Sequence, residues 1–217
     1  MIKYAVFDLD GTLLDTLTTI TYYVNLVLKR EGIREISEEE CKYFIGNGAK
    51  ILIRRVLESR GIFDEQANYR IWKEYNREYN ASTLYLTEPY PQISELLTLL
   101  KERKIKLAVL SNKPDDTARN IIPAFFPEVF DLVHGGREGI PLKPAPDGLL
   151  EIYKEMGAEA DEVIYVGDTG VDIETGKTAG AKITVGVSWG FRTEEELICA
   201  GADTVVNSPL EILNLIN

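Results

Sequence analysis

Apolar residues along this 217-residue chain recur with two different periods, and the change between them divides it. The first run, Tyr4-Ala5-Val6-Phe7, is apolar on both faces, the pattern of a central strand in a parallel sheet. Helical spacing then takes over. Leu17, Ile20, Val24 and Leu28 form one stripe, which Gly32 ends. Ser37-Glu38-Glu39-Glu40 predicts a capped helix start, with Glu40 at the capping-box position. After the break Gly46-Asn47-Gly48, Leu52, Val56 and Leu57 mark a helix ending near Gly61. Ala67, Ile71, Tyr75 and Tyr79 mark another. Residues 15–86 therefore read as a helical insert without a strand.

From Pro91 onward strand and helix alternate. Ile93, Leu96, Leu97 and Leu100 make a helix face, and residues 106–110 a buried strand. A helix is expected after Pro114, a short strand over 129–133, and a helix through Leu149, Ile152 and Tyr153. A strand over 162–166 and a helix over 172–179 follow. Strands over 182–187 and 204–206 come next, and Leu210, Leu213 and Ile216 mark a closing helix. Such alternation predicts an α/β fold, a Rossmann-like parallel sheet with helices on both faces. The expected division is a core of residues 1–14 and 87–217 and an α-helical insert of residues 15–86, placed to act as a lid.

Composition is that of an ordinary globular protein, and the net charge of -11 argues against unspecific nucleic-acid binding. An anionic substrate would need local positive charge from a metal or a few placed lysines. Cys41 and Cys199 lie far apart and form no ligand motif, so both are expected to be reduced. No apolar run approaches membrane-spanning length, and no membrane partner is expected. The amino terminus enters a strand without a leader pattern, so the expected compartment is the cytoplasm.

Candidate chemistry gathers where the strands stop, the place at which open α/β sheets bind ligands. The first strand ends in Asp8 and Asp10, followed by Gly11 and Thr12. Two carboxylates held so close repel one another, and a cation or a retained proton relieves the conflict. An Asp-Gly pair after a strand is also an ordinary turn. Ser111-Asn112-Lys113 follows the second strong strand and suits an anionic oxygen, or else caps a helix. Lys143-Pro144-Ala145-Pro146 places a lysine on a stiff loop, or is a surface turn. Asp168 ends a further strand. Asp172, four residues on, either caps the next helix or joins Asp8 and Asp10 in an oxygen-rich site of the kind Mg²⁺ prefers.

Two look-alikes carry no weight. Gly176-Lys177-Thr178 has Val171 where a P-loop wants glycine, and Gly176, Ala179 and Gly180 are better read as close-packing positions. Gly46-Asn47-Gly48 lacks the third glycine of a dinucleotide fingerprint. The single histidine, His134, has no triad partner and reads as structural.

Together, Asp8-Leu9-Asp10-Gly11-Thr12, Ser111-Asn112, Lys143-Pro144-Ala145-Pro146 and Gly167-Asp168 with Asp172 resemble, in order, the motifs of the haloacid dehalogenase-like (HAD) superfamily. Within it, the chain is most similar to the phosphoglycolate phosphatases. The run 11–16 with Asn25 resembles their entry into a helical cap, Ile45-Gly46-Asn47-Gly48-Ala49 their cap loop, and Gly167-Asp168-Thr169 with Asp172-Ile173 and Gly176-Lys177 their last motif. The resemblance implies Asp8 as nucleophile forming an aspartyl-phosphate, Asp10 as general acid and base, Ser111 on a phosphoryl oxygen and Lys143 offsetting charge. It implies Mg²⁺ held by Asp8, the Asp10 carbonyl and Asp168, with Asp172 a ligand through water or an anchor for Lys143. Gly11, Thr12, Asn112, Gly48 and Lys50 would contact substrate, and Lys50, Arg54 or Arg55 would meet a substrate carboxylate.

The expected activity is Mg²⁺-dependent hydrolysis of a small phosphorylated metabolite by a monomer or homodimer. A phosphosugar mutase of the β-phosphoglucomutase kind, a pyrophosphatase or a nucleotidase would use the same scaffold. A non-catalytic binding module is disfavoured by the intact Asp8, Asp10, Lys143 and Asp168.

Overall fold

The computed structural model describes residues 1–216. The chain opens with β1 (Tyr4–Phe7) and the two-residue strand β2 (Leu14–Asp15). Four helices follow: α1 (Leu17–Arg30), α2 (Glu38–Phe44), α3 (Ala49–Ser59) and α4 (Glu65–Ala81). After β3 (Glu88–Pro89) come α5 (Ile93–Glu102), β4 (Lys106–Pro114), α6 (Asp115–Phe125), β5 (Leu132–Gly136) and α7 (Asp147–Met156). The series ends with β6 (Val163–Gly167), α8 (Gly170–Thr178), β7 (Ile183–Val187), α9 (Glu194–Cys199) and β8 (Thr204–Val206). Among the described residues two compact units result, a core of residues 1–15 with 89–216 and a helical unit of residues 16–88.

The core is a six-stranded sheet in the order β5-β4-β1-β6-β7-β8, with every pair parallel. β1 is central and fully buried because neither face of it meets water. Alternation splits its side chains between the faces. Tyr4 and Val6 join Leu149, Ile152 and Tyr153 of α7 in one cluster with Leu110 and Tyr165. Gly176 of α8 is a close-packing position, as its pattern implied. A Cβ there would stand 2.6 Å from Thr184 Oγ1.

The pattern predicts neither β2, whose Asp15 opens the insert read as strand-free, nor β3, and four further details depart from it. β4 does not stop at Leu110; it runs through Ser111, Asn112 and Lys113 to Pro114, with an irregular register against β5. Neither Ser111 nor Asn112 therefore caps α6, whose N-cap is Pro114. β5 lies three residues later than 129–133 and contains His134. The closing segment Pro209–Leu215 is a 3₁₀ helix rather than an α-helix, and α9 is an addition, started by a Thr193–Glu196 capping box.

In the helical unit, α4 packs on α1 and α3, and α2 on α1 and α3. Val24, Leu28, Ile53, Val56 and Ile71 supply its buried face. The capping box of Ser37 and Glu40 forms as expected. Asn25 fixes the turn between α1 and α2 by accepting from Ile36 N and donating to Ile36 O, each at 2.8 Å. Among the described residues, no helix is long and apolar enough to cross a membrane.

Candidate active site

Register brings the acidic and basic groups to one edge of the core sheet. Phe7 pairs with Val109 on one side and Val166 on the other. Asp8, Leu110-Ser111 and Gly167-Asp168 therefore all lie just past that level, at the carboxyl ends of three adjacent strands. Asp8 is anchored by its own N–H, which donates to Val166 O at 2.9 Å. Past it the chain turns tightly, and the Leu9 carbonyl accepts from Leu13 and Leu14 at 3.0 and 3.1 Å.

Lys143 lies buried between two carboxylates. Its Nζ is 2.8 Å from Asp8 Oδ1 and 2.6 Å from Asp172 Oδ1. Its position is set through its main chain. The Asn112 amide accepts from Lys143 N at 2.8 Å and donates to Lys143 O at 3.0 Å. Asp172 is engaged at both oxygens. Oδ1 also accepts from Tyr165 OH at 3.3 Å, and Oδ2 accepts from Thr169 N and Oγ1 at 3.1 and 2.7 Å. These contacts anchor Lys143 and cap α8, and Asp172 also shares an oxygen cluster with Asp8 and Asp168.

Asp168 is completely buried. Its Oδ1 accepts from Thr12 Oγ1 at 3.1 Å, and its Oδ2 from Phe191 N at 2.8 Å. Two glycines make room for it. Gly11, at φ +84°, would put a Cβ 2.2 Å from Asp168 Oδ2, and Gly190 would put one 2.3 Å from Asp168 Cβ. Thr12, expected on substrate, thus spends its hydroxyl on Asp168. The Thr12 carbonyl accepts from the Trp189 indole at 3.1 Å. Nothing in the sequence pattern pointed to Trp189-Gly190-Phe191, because a donating backbone amide has no residue signature. A glycine between two aromatics just after a strand was the available hint.

Asp10 forms an ion pair with Lys113, Oδ2 to Nζ at 3.0 Å, while its Oδ1 is buried without a hydrogen-bond partner. Ser111 Oγ accepts from Lys113 N at 3.2 Å. Gly48 and Lys50 belong to the helical unit. Gly48 precedes α3, and the exposed Lys50 has its ammonium 5.9 Å from the centre of the Trp72 ring. Arg55 is occupied by Phe44 O and Asn47 Oδ1, and Arg54 by Glu65.

Burial and mutual repulsion shift the carboxyls upward. Asp8 is pushed up to about 7, chiefly by burial and then by the Asp172 charge, with Lys143 pulling the other way. Asp168 is held well above the usual carboxylate range by burial and by Asp172 and Asp8. For Lys143, burial opposes the charge, but Asp172 and Asp8 outweigh it and keep the ammonium well above its ordinary value. Oxygens of Asp8, Asp168 and Asp172 lie within 4.8 Å of one another. Asp8, Asp10, Asp168 and Asp172 face two lysines, a formal deficit of two positive charges. A divalent cation fits that deficit and the all-oxygen donor set. It would also relieve the carboxyls that burial now holds toward protonation.

Residues 5–186 match the family described as Haloacid dehalogenase-like hydrolase. The chain belongs to that family. Among the relatives of this HAD-like hydrolase is the phosphoglycolate phosphatase of Aquifex aeolicus, 33% identical over 87% of this chain and 86% of its own. The phosphoglycolate phosphatase of Haemophilus influenzae Rd is 30% identical over 97% of this chain and 96% of its own. Among solved structures, a predicted phosphoglycolate phosphatase from Haemophilus somnus superposes with a TM-score of 0.92 at 26% identity, covering 100% of this chain and 98% of that one.

A second cluster, His134 with Glu151 and Glu155, flanks the Lys143 stretch in sequence but shares no residue with these motifs. Arg137 donates to Glu151 at 2.6 Å and to His134 Nδ1 at 2.8 Å. Because a guanidinium only donates, Nδ1 accepts, and Nε2–H faces Glu155 at 3.3 Å. Burial and then the Arg137 charge lower the His134 pKa. The imidazole is thus committed to structure on both nitrogens.

Proposed function

We propose that this HAD-like hydrolase is a Mg²⁺-dependent phosphatase that hydrolyses a small phosphoric monoester through an aspartyl-phosphate, with phosphoglycolate as its leading substrate. The observation that carries the reading is the buried Asp8 carboxylate, held by Lys143 at the end of the central strand beside Asp168. The phosphoglycolate phosphatases among its relatives point to the substrate.

Asp8 would attack phosphorus with one carboxylate oxygen, and the bond to the leaving alcohol would break. Asp10 would give its proton to that alcohol oxygen and later take one from the water that attacks the aspartyl-phosphate. Lys143 stands 2.8 Å from Asp8 and would offset negative charge as phosphorus adds oxygen. The Ser111 hydroxyl would donate to a phosphoryl oxygen. Gly11, Gly190, Thr12 and Phe191 N would hold Asp168 in place. The Asp8 carboxylate, the Asp10 carbonyl and Asp168 would hold Mg²⁺, with Asp172 kept for Lys143 and α8. When bound, the ion supplies positive charge to the phosphoryl oxygens and to Asp8.

Phosphate release from a panel of small phosphomonoesters and pyrophosphate, with Mg²⁺ and with EDTA, tests this. Metal-dependent release concentrated on phosphoglycolate is expected. Interconversion of hexose 1- and 6-phosphates without phosphate release would overturn it in favour of a mutase.

A further inference from the structure

Lys113 and Lys143 are both buried in the core unit, yet their surroundings differ. Lys143 bridges Asp8 and Asp172, on the side of the attacking oxygen, and its backbone is clamped by Asn112. Lys113 instead pairs with Asp10, the residue placed here at the leaving alcohol. Its side chain is 6% exposed, and it projects from the penultimate residue of β4, where the strand departs from regular register. Asp10 keeps its second oxygen, Oδ1, buried and without a hydrogen-bond partner. A lysine is rarely buried without a specific partner, and here the partner is a carboxylate that substrate must also engage.

We propose that Lys113 is a specificity-determining residue that selects phosphoesters whose alcohol carries a carboxylate on the carbon next to the ester oxygen. The proposal rests on the assignment of Asp10 as proton donor to that oxygen. With the ester oxygen in hydrogen-bond contact with Asp10 Oδ2, it stands within about 6 Å of Lys113 Nζ, the sum of two such contacts, and through Oδ1 within about 8 Å. A carboxylate on the adjacent carbon reaches about 3 to 4 Å beyond the ester oxygen by standard bond lengths. It can therefore contact Nζ without drawing the ester oxygen off Asp10. A neutral alcohol offers this ammonium nothing. The two lysines thus divide the work: Lys143 serves the nucleophile, and Lys113 serves the acidic group of the leaving alcohol.

The test is the kcat/KM for 2-phosphoglycolate relative to ethyl phosphate, which has no carboxylate, in wild type, Lys113→Met and Lys113→Arg with Mg²⁺. Folding of each variant is checked by circular dichroism and thermal melting. Wild type is expected to favour phosphoglycolate. Lys113→Met should lower that preference about ten- to a hundredfold, the range of one charge-assisted hydrogen bond, with the change carried mainly by KM for phosphoglycolate. Lys113→Arg, which keeps the charge, should retain most of the preference. A ratio unchanged within twofold in Lys113→Met, even with both rates lowered, would overturn the proposal and leave Lys113 as support for Asp10 alone. An absence of phosphate release from either ester by folded wild type would instead overturn the phosphatase reading on which it rests.

Discussion

The two units handle charge in opposite ways. In the helical unit most ion pairs lie toward the surface, the Arg60–Glu40 pair with its buried arginine excepted: Arg30 meets Glu74 and Glu78, Arg70 meets Glu31, and Arg54 meets Glu65. Both members of each pair keep much of their hydration, and such pairs contribute little. In the core, Asp8, Lys143, Asp168 and Asp172 are withdrawn from water, and burial itself pushes Asp8 up to about 7. One unit sets its charges on helix surfaces in contact with water. The other accepts a standing electrostatic cost at the place where chemistry would need it.

The sharpest way to break that contrast is to remove the charge of Asp8. Asp8→Asn is expected to lower phosphate release by at least roughly a thousandfold, since the reacting atom is lost. Undiminished release would sink the aspartyl-phosphate mechanism.

The same variant should melt higher than wild type when metal is absent. Asp8 titrates near its ordinary value of 3.8 in the unfolded chain and near 7 when folded. Between those limits the folded state alone keeps the proton, so stability falls as pH rises through the window, by roughly 1.4 kcal/mol per unit. The gap between Asp8→Asn and wild type in EDTA should thus reach a few kcal/mol at pH 7.5 and narrow toward pH 5. Added Mg²⁺ should raise the wild type more than the variant, most clearly at the higher pH. Thermal melts of both proteins at the two pH values check this, and a gap that widens on acidification would contradict the burial argument.

Packing, rather than charge, should dominate in the helical unit. Ile71 is wholly buried on α4, and Ile71→Ala is expected to cost about 2–5 kcal/mol, read by urea denaturation. The smallest effect belongs to the surface. Arg30→Gln removes two contacts to glutamates, yet should leave the melting midpoint almost unmoved, with any small loss erased by salt.

Most of the core was legible because its signals are local. An apolar run that stops at Asp8, and another that stops at Gly167-Asp168, announce buried strands with carboxylates at their ends. Helical stripes such as Ala67, Ile71, Tyr75 and Tyr79 became the buried face of α4. What escaped depends on neighbours. Ser111, Asn112 and Lys113 read as a strand end leading into a helix cap, but they are buried and carried on in β4, between the β5 pairings of Leu110 and Pro114. Gly135 and Gly136 lie within β5, beyond the 129–133 expected for that strand. A Cβ at Gly135 would come within 2.5 Å of Asp115 Cα, so the close approach of α6 demands glycine in that strand. The capping box of Thr193 and Glu196 is a local signal written in the sequence. The Phe191 amide on Asp168 was not readable, since any residue but proline could supply it.

The hold of Asn112 on Lys143 carries a consequence for how this site can change. A side-chain amide that recognises only the N–H and C=O of residue 143 is indifferent to the side chain there. Location and charge are therefore written at separate addresses in the sequence, one at 112 and the other at 143. Evolution, or an experimenter, can exchange the cation without redrawing the loop that presents it, or loosen the loop while the cation stays the same. A scaffold with that separation can try new chemistries at a fixed point in space, one substitution at a time.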